Sequence, residues 1–311
     1  MGRQTKVHLY ALITIFVWAT GFSFTKLALA HFSPNAVGLL RYLIASAALL
    51  PFVLLQKMKL PSPRDIPLFF AAGAMGFSLY MVTFNQGMRT LTSATSSILI
   101  ATAPILTALL AIFCFKEKIY ALGFCAVAIE FGGILILTLW NGAFSINEGV
   151  LWTLAAALLI SGYNLMQRVL TRRYTALQST AYSIFAGTLL LLVFLPETLV
   201  QLPTAPAVPL GAVIFMGLFP SALGYVFWAK ALSIARMTST VTNYMFLTPF
   251  LSTLLGYLVV IETPDFSTLL GGALILLGLI LFRVSARDAS PVLPEPQQPG
   301  SQQSVEEDTL M

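Results

Sequence analysis

Charged residues are scarce in this chain of 311 residues, where they make up 9% of the sequence. A soluble domain usually has about 25% charged residues, because a surface in contact with water needs them. Hydrophobic residues make up 58%, and the mean hydropathy is +0.86. This composition excludes a soluble enzyme and a secreted module, and it predicts an all-α polytopic membrane protein.

Histidine and cysteine are also rare, with two residues of each. Cys114 and Cys125 lie in apolar sequence without the spacing of a disulfide framework or a metal site. His8 and His31 lie near span ends, which excludes a histidine-rich metal centre. No carboxylate pair or Ser-His-Asp set falls in the middle of a span. The sequence therefore predicts no metal, no cofactor and no enzyme, and it disfavours an intramembrane enzyme as the alternative.

Basic residues exceed acidic ones, which gives a net charge of +5. They are scattered singly between apolar runs instead of forming a patch, so nucleic acid is excluded as a partner. The lipid bilayer is the partner that this composition predicts.

Ten apolar runs are long enough to cross a bilayer, which requires about 20 residues. Their predicted positions are 8–30, 37–55, 66–88, 92–115, 119–140, 149–168, 177–199, 209–233, 239–260 and 266–284. If the N-terminus is cytoplasmic, 14 of the 17 lysines and arginines fall in cytoplasmic segments. This bias follows the positive-inside rule and predicts that both termini are cytoplasmic.

An internal repeat relates the two halves of the sequence at an offset of 145 residues. Because each half contains five spans, the second half enters the membrane from the opposite side, and the repeats are inverted. Inverted repeats are a common construction of secondary transporters. We therefore predict one repeat over 1–145, a second over 146–285 and a disordered cytoplasmic tail over 286–311. The most informative matched positions are Tyr80 with Tyr225, Pro104 with Pro249, Glu117 with Glu262, and Gly133 with Gly278.

The order of these motifs resembles the EamA family of the drug/metabolite transporter superfamily. The first span contains Trp18, Gly21, Phe22 and Lys26, and Arg41 follows in the second span. The fourth and ninth spans both have a polar start, a mid-span proline and a terminal glutamate. The resemblance implies a ten-helix carrier of the bacterial inner membrane, commonly an exporter of amino acids or other small metabolites. It also implies a central cavity lined by spans one, three, four, six, eight and nine, but it does not imply a particular solute.

Aromatic residues at one-turn spacing are candidates for lining that cavity, because they share a helix face. They suit apolar or aromatic solutes and organic cations, although ordinary packing is the alternative for any single ring. The sixth span departs from the family pattern, and its tyrosine and amides are candidates for hydrogen bonding a solute or a neighbouring helix. The candidate solute-binding residues are Trp18, Phe22, Tyr80, Phe84, Ser97, Tyr163, Asn164, Gln167, Tyr225, Trp228, Asn243 and Tyr244.

Pro104 and Pro249 interrupt the fourth and ninth spans, and we expect them to act as hinges, since proline removes a backbone donor. Glu130 is the one carboxylate near the middle of a span and is a formal candidate for proton coupling, with a structural role as the alternative. Lys26 and Arg41 are expected to reach the interface or bond to backbone carbonyls, and Lys230 to contribute to topology.

The sequence thus favours export of small metabolites by alternating access. Efflux of drug-like or quaternary cations and a membrane sensor or structural bundle remain alternatives. A carrier of nucleotide sugars or phosphate esters would need more basic groups in the spans than Lys26 and Lys230 provide. The oligomeric state, the direction of transport and the driving ion stay open.

Overall fold

The computed structural model describes residues 2–116, 121–139, 147–235, 241 and 243–288. Every regular element in these residues is helical. Seven helices are long and apolar enough to cross a membrane, and three shorter apolar helices accompany them. The all-α polytopic prediction is confirmed in this form, while the ten-span layout and the side of each terminus stay predictions. The predicted tail from residue 289 onward, Glu117 and the start of the ninth span (236–240 and 242) lie outside the described residues.

The first half of the chain begins with two long helices and continues with three interrupted or shorter ones. We label them α1 (Arg3–Leu29), α2 (Pro34–Leu55), α3a (Ile66–Gly73), α3b (Leu79–Met88), α4a (Ser93–Ile100), α4b (Ala103–Phe115) and α5 (Ala121–Leu139).

The second half contains the corresponding elements. They are α6 (Glu148–Leu170), α7 (Ala176–Leu191), a short helix α7b (Leu195–Gln201), α8a (Ala207–Leu218), α8b (Gly224–Ile234), α9 (Thr248–Val260) and α10 (Phe266–Asp288). Short 3₁₀ turns at Leu192–Phe194 and Leu202–Thr204 flank α7b, so this span continues beyond the predicted end at 199. Similarly, α10 continues to Asp288, past the predicted start of the tail.

Several helices begin where a side chain satisfies a backbone donor that has no intrahelical partner. The Ser33 hydroxyl accepts from the Ala36 amide, and Pro34 occupies the first helical position of α2. Asn147, Thr92 and Thr175 cap α6, α4a and α7 in the same way. The polar residues between the apolar runs therefore determine where these helices begin.

The sequence predicts uninterrupted third and eighth spans, but neither span is a continuous α-helix. Each contains a π-helical segment, at Ala74–Ser78 between α3a and α3b and at Phe219–Leu223 between α8a and α8b. The two segments are separated by the same offset of 145 residues that relates the sequence halves. Because π-helical turns widen a helix and are frequent at functional sites, this match draws attention to both positions.

The fourth and ninth spans are interrupted just before their prolines. A turn at Ala101 and Thr102 separates α4a from α4b, and a 3₁₀ segment, Asn243–Leu247, precedes α9. Pro104 and Pro249 both lie in the first turn of the following helix, where proline is tolerated. The interruptions are present, whereas their use as hinges stays a prediction.

Helix α1 is central to the arrangement, since it packs against α8a, α8b and α9 of the second half. The largest buried cluster contains side chains of the first, second, third, sixth, seventh and eighth spans, so it joins both halves of the chain. In contrast, α5 and α10 pack chiefly against each other. Their backbones approach so closely that a Cβ atom on Gly133 would lie 2.6 Å from the Gly271 carbonyl oxygen. Glycine at this position permits the contact.

Candidate functional site

Three predicted aromatic residues from α1 and α8b meet at the boundary between the two halves. The ring of Trp18 lies 5.3 Å from that of Tyr225 and 5.1 Å from that of Trp228, measured between centroids. The Trp18 Nε1 donates a hydrogen bond of 3.0 Å to the carbonyl of Pro220, in the π-helical segment. A Cβ atom on Gly224 would lie 2.7 Å from this nitrogen, so glycine makes room for the indole.

Phe22, Phe84 and Tyr80 extend this surface toward the third span. The rings of Phe22 and Phe84 meet edge to face at 5.5 Å, and Tyr80 stacks on Phe84 at 5.6 Å. Trp18 and Phe22 share one face of α1, so the two ring groups adjoin. The structure therefore brings together six of the predicted aromatic residues in a single surface.

Phe77 and Tyr42 complete this surface, and sequence reasoning missed both. Phe77 lies in the π-helical segment of the third span, and its ring is 5.2 Å from Tyr42, 5.1 Å from Tyr163 and 5.8 Å from Tyr225. Phe77 thus connects residues of the second, sixth and eighth spans. The available signal was its position three residues before Tyr80, one helical turn away on the same face.

We refer to these eight residues and Tyr163 as the aromatic cluster. Its members come from spans one, two, three, six and eight, and two of these spans contain a π-helical segment beside the cluster. The aromatic cluster consists of Trp18, Phe22, Tyr42, Phe77, Tyr80, Phe84, Tyr163, Tyr225 and Trp228.

The polar residues of the sixth span separate into two groups. Gln167 donates from Nε2 to the Tyr163 hydroxyl at 2.6 Å, and its carbonyl oxygen accepts a hydrogen bond from the Ser179 hydroxyl of α7. Its amide therefore joins α6 to α7. Asn164 is exposed and donates a hydrogen bond of 3.3 Å to the Thr107 hydroxyl of α4b, away from Gln167.

Arg41 lies beside the aromatic cluster, and its partner is a side-chain hydroxyl that the sequence did not predict. It exposes 9% of its surface, its Nε donates to the Ser221 hydroxyl at 2.6 Å, and its guanidinium carbon lies 5.8 Å from the centre of the Tyr42 ring. Ser221 belongs to the π-helical segment of the eighth span, which places its hydroxyl toward α2. The π-helical segment thus holds the Arg41 side chain, and no sequence pattern predicted this segment.

The remaining candidate residues of the fourth and ninth spans are not members of the aromatic cluster. Ser97 is buried and donates to the carbonyl of Ala94 in its own helix, at 2.8 Å. Tyr244 is half-buried, and its hydroxyl is 2.7 Å from the His8 Nδ1. It packs in the same small cluster as Trp228, which adjoins the aromatic cluster. The side chain of Asn243 lies outside the described residues.

Lys26 forms an ion pair instead of reaching the interface alone. Its Nζ lies 3.5 Å from Oε1 of Glu262, directly after α9, and Oε2 accepts a hydrogen bond of 2.7 Å from the Ser93 amide at the start of α4a. This contact joins α1 and α4a of the first half to the end of α9. Lys230, in contrast, is exposed near the end of α8b.

Glu130 is buried between α5 and α10, apart from the aromatic cluster. It exposes 3% of its surface, and its Oε2 has no hydrogen-bond partner among the residues that the structure describes. A Cβ atom on Gly278 would lie 3.0 Å from the Glu130 Cβ, which shows how closely α10 passes. Within the same described ranges, no group of three or more His, Cys, Asp or Glu side chains is arranged to bind a metal ion.

Comparison with known proteins gives one consistent family. The model described as the EamA-like transporter family matches residues 5–139 and again residues 147–284. A Bacillus subtilis protein named "Uncharacterized transporter YdfC" is 31% identical over 261 residues, which cover 84% of this chain and 85% of that protein. A "Probable terminal-alkyne amino-acid exporter" of Streptantibioticus cattleyicolor is 30% identical over 270 residues, covering 87% and 91%.

A solved structure shows the same fold at lower identity. It is a crystal structure with 19% sequence identity and a TM-score of 0.60, and the match covers 92% of this chain and 99% of that one. This likeness extends over nearly the whole length of both chains and concerns the fold alone.

Proposed function

Since this chain belongs to the EamA-like transporter family, we propose that it is a secondary transporter of the bacterial cell membrane that exports small metabolites, amino acids among them. Membership of this family supports a function in membrane transport. The relative named a probable exporter of an amino acid supports both the direction and the class of solute.

The aromatic cluster is the proposed solute-binding surface, and it supports the function most directly. Trp18, Phe22 and Phe84 come from the first half, whereas Tyr225 and Trp228 come from the second. A solute held between these rings contacts both halves at once. Ligand sites are typically lined by apolar and aromatic side chains with a few polar groups.

We propose that the chain crosses the membrane ten times, as two inverted five-helix repeats over 1–145 and 146–285, with both termini in the cytoplasm. The family model matches once in each half. The π-helical segments Ala74–Ser78 and Phe219–Leu223 recur at the repeat offset. The distribution of lysine and arginine supports the orientation.

Alternating access follows from this arrangement in our proposal. The interruptions before Pro104 and Pro249 are places where each span can bend, because regular backbone hydrogen bonding is lost there. In the proposed orientation, the contact of Lys26, Glu262 and Ser93 lies at the outer ends of spans one, nine and four. This contact holds the two halves together on one side, as a closed outer face requires.

The charge beside the aromatic cluster disfavours the alternative of cation efflux. The guanidinium of Arg41 is buried there, and no acidic side chain among the described residues lies within 4 Å of it. A quaternary cation next to a buried positive charge would be repelled in a medium of low dielectric constant. The site therefore favours neutral, zwitterionic or anionic solutes.

Counterflow in proteoliposomes tests the proposed function. The purified chain is reconstituted with an excess of one unlabelled solute inside, and uptake of the labelled solute is measured for amino acids, nucleosides and organic cations. We expect accumulation of amino acids above the level of protein-free vesicles. Accumulation of organic cations alone would contradict the assignment of the solute, and no movement of any solute would contradict transport.

A further inference from the structure

Arg41 is a buried, positively charged side chain, and no acidic side chain among the described residues forms an ion pair with it. Only its Nε has a hydrogen-bond partner there, the Ser221 hydroxyl. Neither terminal nitrogen of the guanidinium donates to a described residue, and neither is completely enclosed. An unbalanced charge in an apolar interior is costly, so retaining one implies a counterion that comes and goes.

Two tyrosine hydroxyls close to Arg41 also have unused hydrogen-bonding capacity. Tyr225 lies four residues after Ser221, the hydrogen-bond partner of Arg41, and its ring is 5.8 Å from that of Phe77. Tyr80 lies three residues after Phe77, whose ring is 5.2 Å from that of Tyr42. Among the described residues, neither hydroxyl has a hydrogen-bond partner, and neither is fully enclosed. The Tyr42 ring lies 5.8 Å from the guanidinium carbon of Arg41. Donors from three separate spans therefore border the same part of the aromatic cluster, and no acceptor for them is present among the described residues.

We propose that Arg41, Tyr80 and Tyr225 form a carboxylate-binding subsite of the solute cavity, and that the transported solutes are monocarboxylates with an apolar or aromatic remainder. This inference rests on the proposed function and specifies the solute class for the same cavity. A guanidinium presents two parallel donors that match the two oxygens of a carboxylate.

The single charge of Arg41 favours a carboxylate over a phosphate ester. One guanidinium balances one negative charge, whereas the second charge of a phosphate would remain uncompensated in the apolar surroundings. The rings of Trp18 and Trp228 then contact the rest of the solute. Their faces also attract an ammonium group, so neutral α-amino acids belong to the predicted class.

Ligand-induced thermal stabilisation of the purified full chain tests this subsite directly. For each of leucine, phenylalanine and tryptophan, the free acid is compared with its methyl ester and with the decarboxylated amine. A ligand that binds the folded state raises the melting temperature according to its affinity. We expect stabilisation by the free acids, and at least roughly tenfold weaker binding of the esters and amines, because a charge-assisted bidentate pair is lost.

Three variants connect the selectivity to the subsite. Arg41→Gln removes the charge, and Tyr80→Phe and Tyr225→Phe each remove one hydroxyl while keeping the ring in place. All three are expected to reduce binding of the free acids. The two phenylalanine variants should leave binding of the cationic esters unchanged, whereas Arg41→Gln should leave it unchanged or strengthen it, because the repelling charge is gone. Arg89→Gln is the matched control, because it removes an exposed positive charge whose partner among the described residues is Gln86. If Arg41→Gln does not fold, the two phenylalanine variants decide.

The two experiments together distinguish a failure of the proposed subsite from a failure of the proposed transport function. Equal stabilisation by acids and esters, no stabilisation by any ligand, or unchanged selectivity in the folded variants would overturn the subsite. If the free acids bind selectively but no solute accumulates in counterflow, the subsite stands and transport fails. If solutes accumulate without regard to the carboxylate, transport stands and the subsite is wrong.

Discussion

Arg41 and Glu130 are both charged side chains buried in apolar helices, yet the regions around them are built differently. Arg41 lies where α2 meets the π-helical segment of the eighth span, and its Nε bonds to the Ser221 hydroxyl of that segment. Glu130 lies where α5 and α10 pack directly against each other, and its Oε2 is enclosed without a hydrogen-bond partner among the described residues. One charge lies beside an irregular helix, and the other lies between two regular helices.

This difference shows that burial of a charge does not by itself indicate a site. A solute reaches a charged group only if the helices around it leave room, and π-helical turns and interrupted helices provide such room. Two adjacent α-helices with glycine at their crossing do not. The four predictions below test whether the region of Arg41 handles solute and the region of Glu130 provides structure.

The largest effect is expected from removing a ring of the aromatic cluster. Trp18→Ala should reduce amino-acid counterflow by roughly tenfold or more, since a ring of this size contributes a few kcal/mol of apolar contact. Trp152→Ala is the matched control, because Trp152 is exposed on α6 with 43% of its surface accessible. Counterflow at equal reconstituted protein is the measurement. Equal flux in the two variants would show that the aromatic cluster is not the solute surface.

A packing change at the α5–α10 crossing should affect stability instead. Gly133→Ala places a methyl group against the Gly271 backbone, and we expect a loss of about 1–3 kcal/mol from overpacking. The neighbouring Gly132 has open space around it, so Gly132→Ala should be neutral or stabilising. Melting temperatures in detergent measure both. If both variants retain the wild-type melting temperature, this crossing is looser than the structure shows.

The start of α10 should confer a small pH dependence on stability. Burial opposes ionisation of Asp265, but hydrogen bonds from Thr268 and Ser267 outweigh it and hold the pKa of this carboxyl below its ordinary value. The contribution of the ionised Asp265 carboxylate to the stability of the fold is therefore complete above the ordinary aspartate pKa. It is lost as the pH falls through the lowered pKa of the folded state.

Asp265→Asn should remove this dependence and cost about 1 kcal/mol or less, as expected for an exposed helix cap. Melting temperatures between neutral and strongly acidic pH provide the measurement, with the wild-type chain as the reference. A wild-type and a variant curve that stay parallel down to strongly acidic pH would contradict the role of this carboxylate.

The smallest effect on transport is expected at Glu130. Glu130→Gln should leave counterflow, and its response to an imposed pH gradient, within about twofold of the wild type, because the carboxyl lies apart from the aromatic cluster and is enclosed. Flux with and without a pH gradient measures this. Loss of the pH response in a folded variant would instead assign proton coupling to Glu130.

Much of the aromatic cluster followed from residue spacing. Trp18 with Phe22, and Tyr80 with Phe84, lie one turn apart, so each pair had to share a helix face, and the structure places both pairs in the aromatic cluster. The partners of Arg41 did not follow from the sequence. A long basic side chain near a span end usually reaches the interface, but here Ser221 and Tyr42 hold it inside.

Phe77 and the two π-helical segments were missed for a related reason. A π-helical turn depends on how neighbouring helices pack, and an apolar sequence such as Ala74–Ser78 is equally compatible with a regular α-helix. The offset of 145 residues aligned the two segments, but it could not show that either was irregular.

The sequence by itself determined that this chain belongs in a membrane, where several of its apolar helices begin, and that its halves are related. Composition, capping residues and a repeated order of motifs are local properties, so they are visible without a fold. Only the tertiary structure decided which buried polar groups meet. Arg41, Tyr80 and Tyr225 lie far apart in the sequence, and they come to lie around Phe77 and Ser221 because the second, third and eighth spans pack together at the π-helical segments.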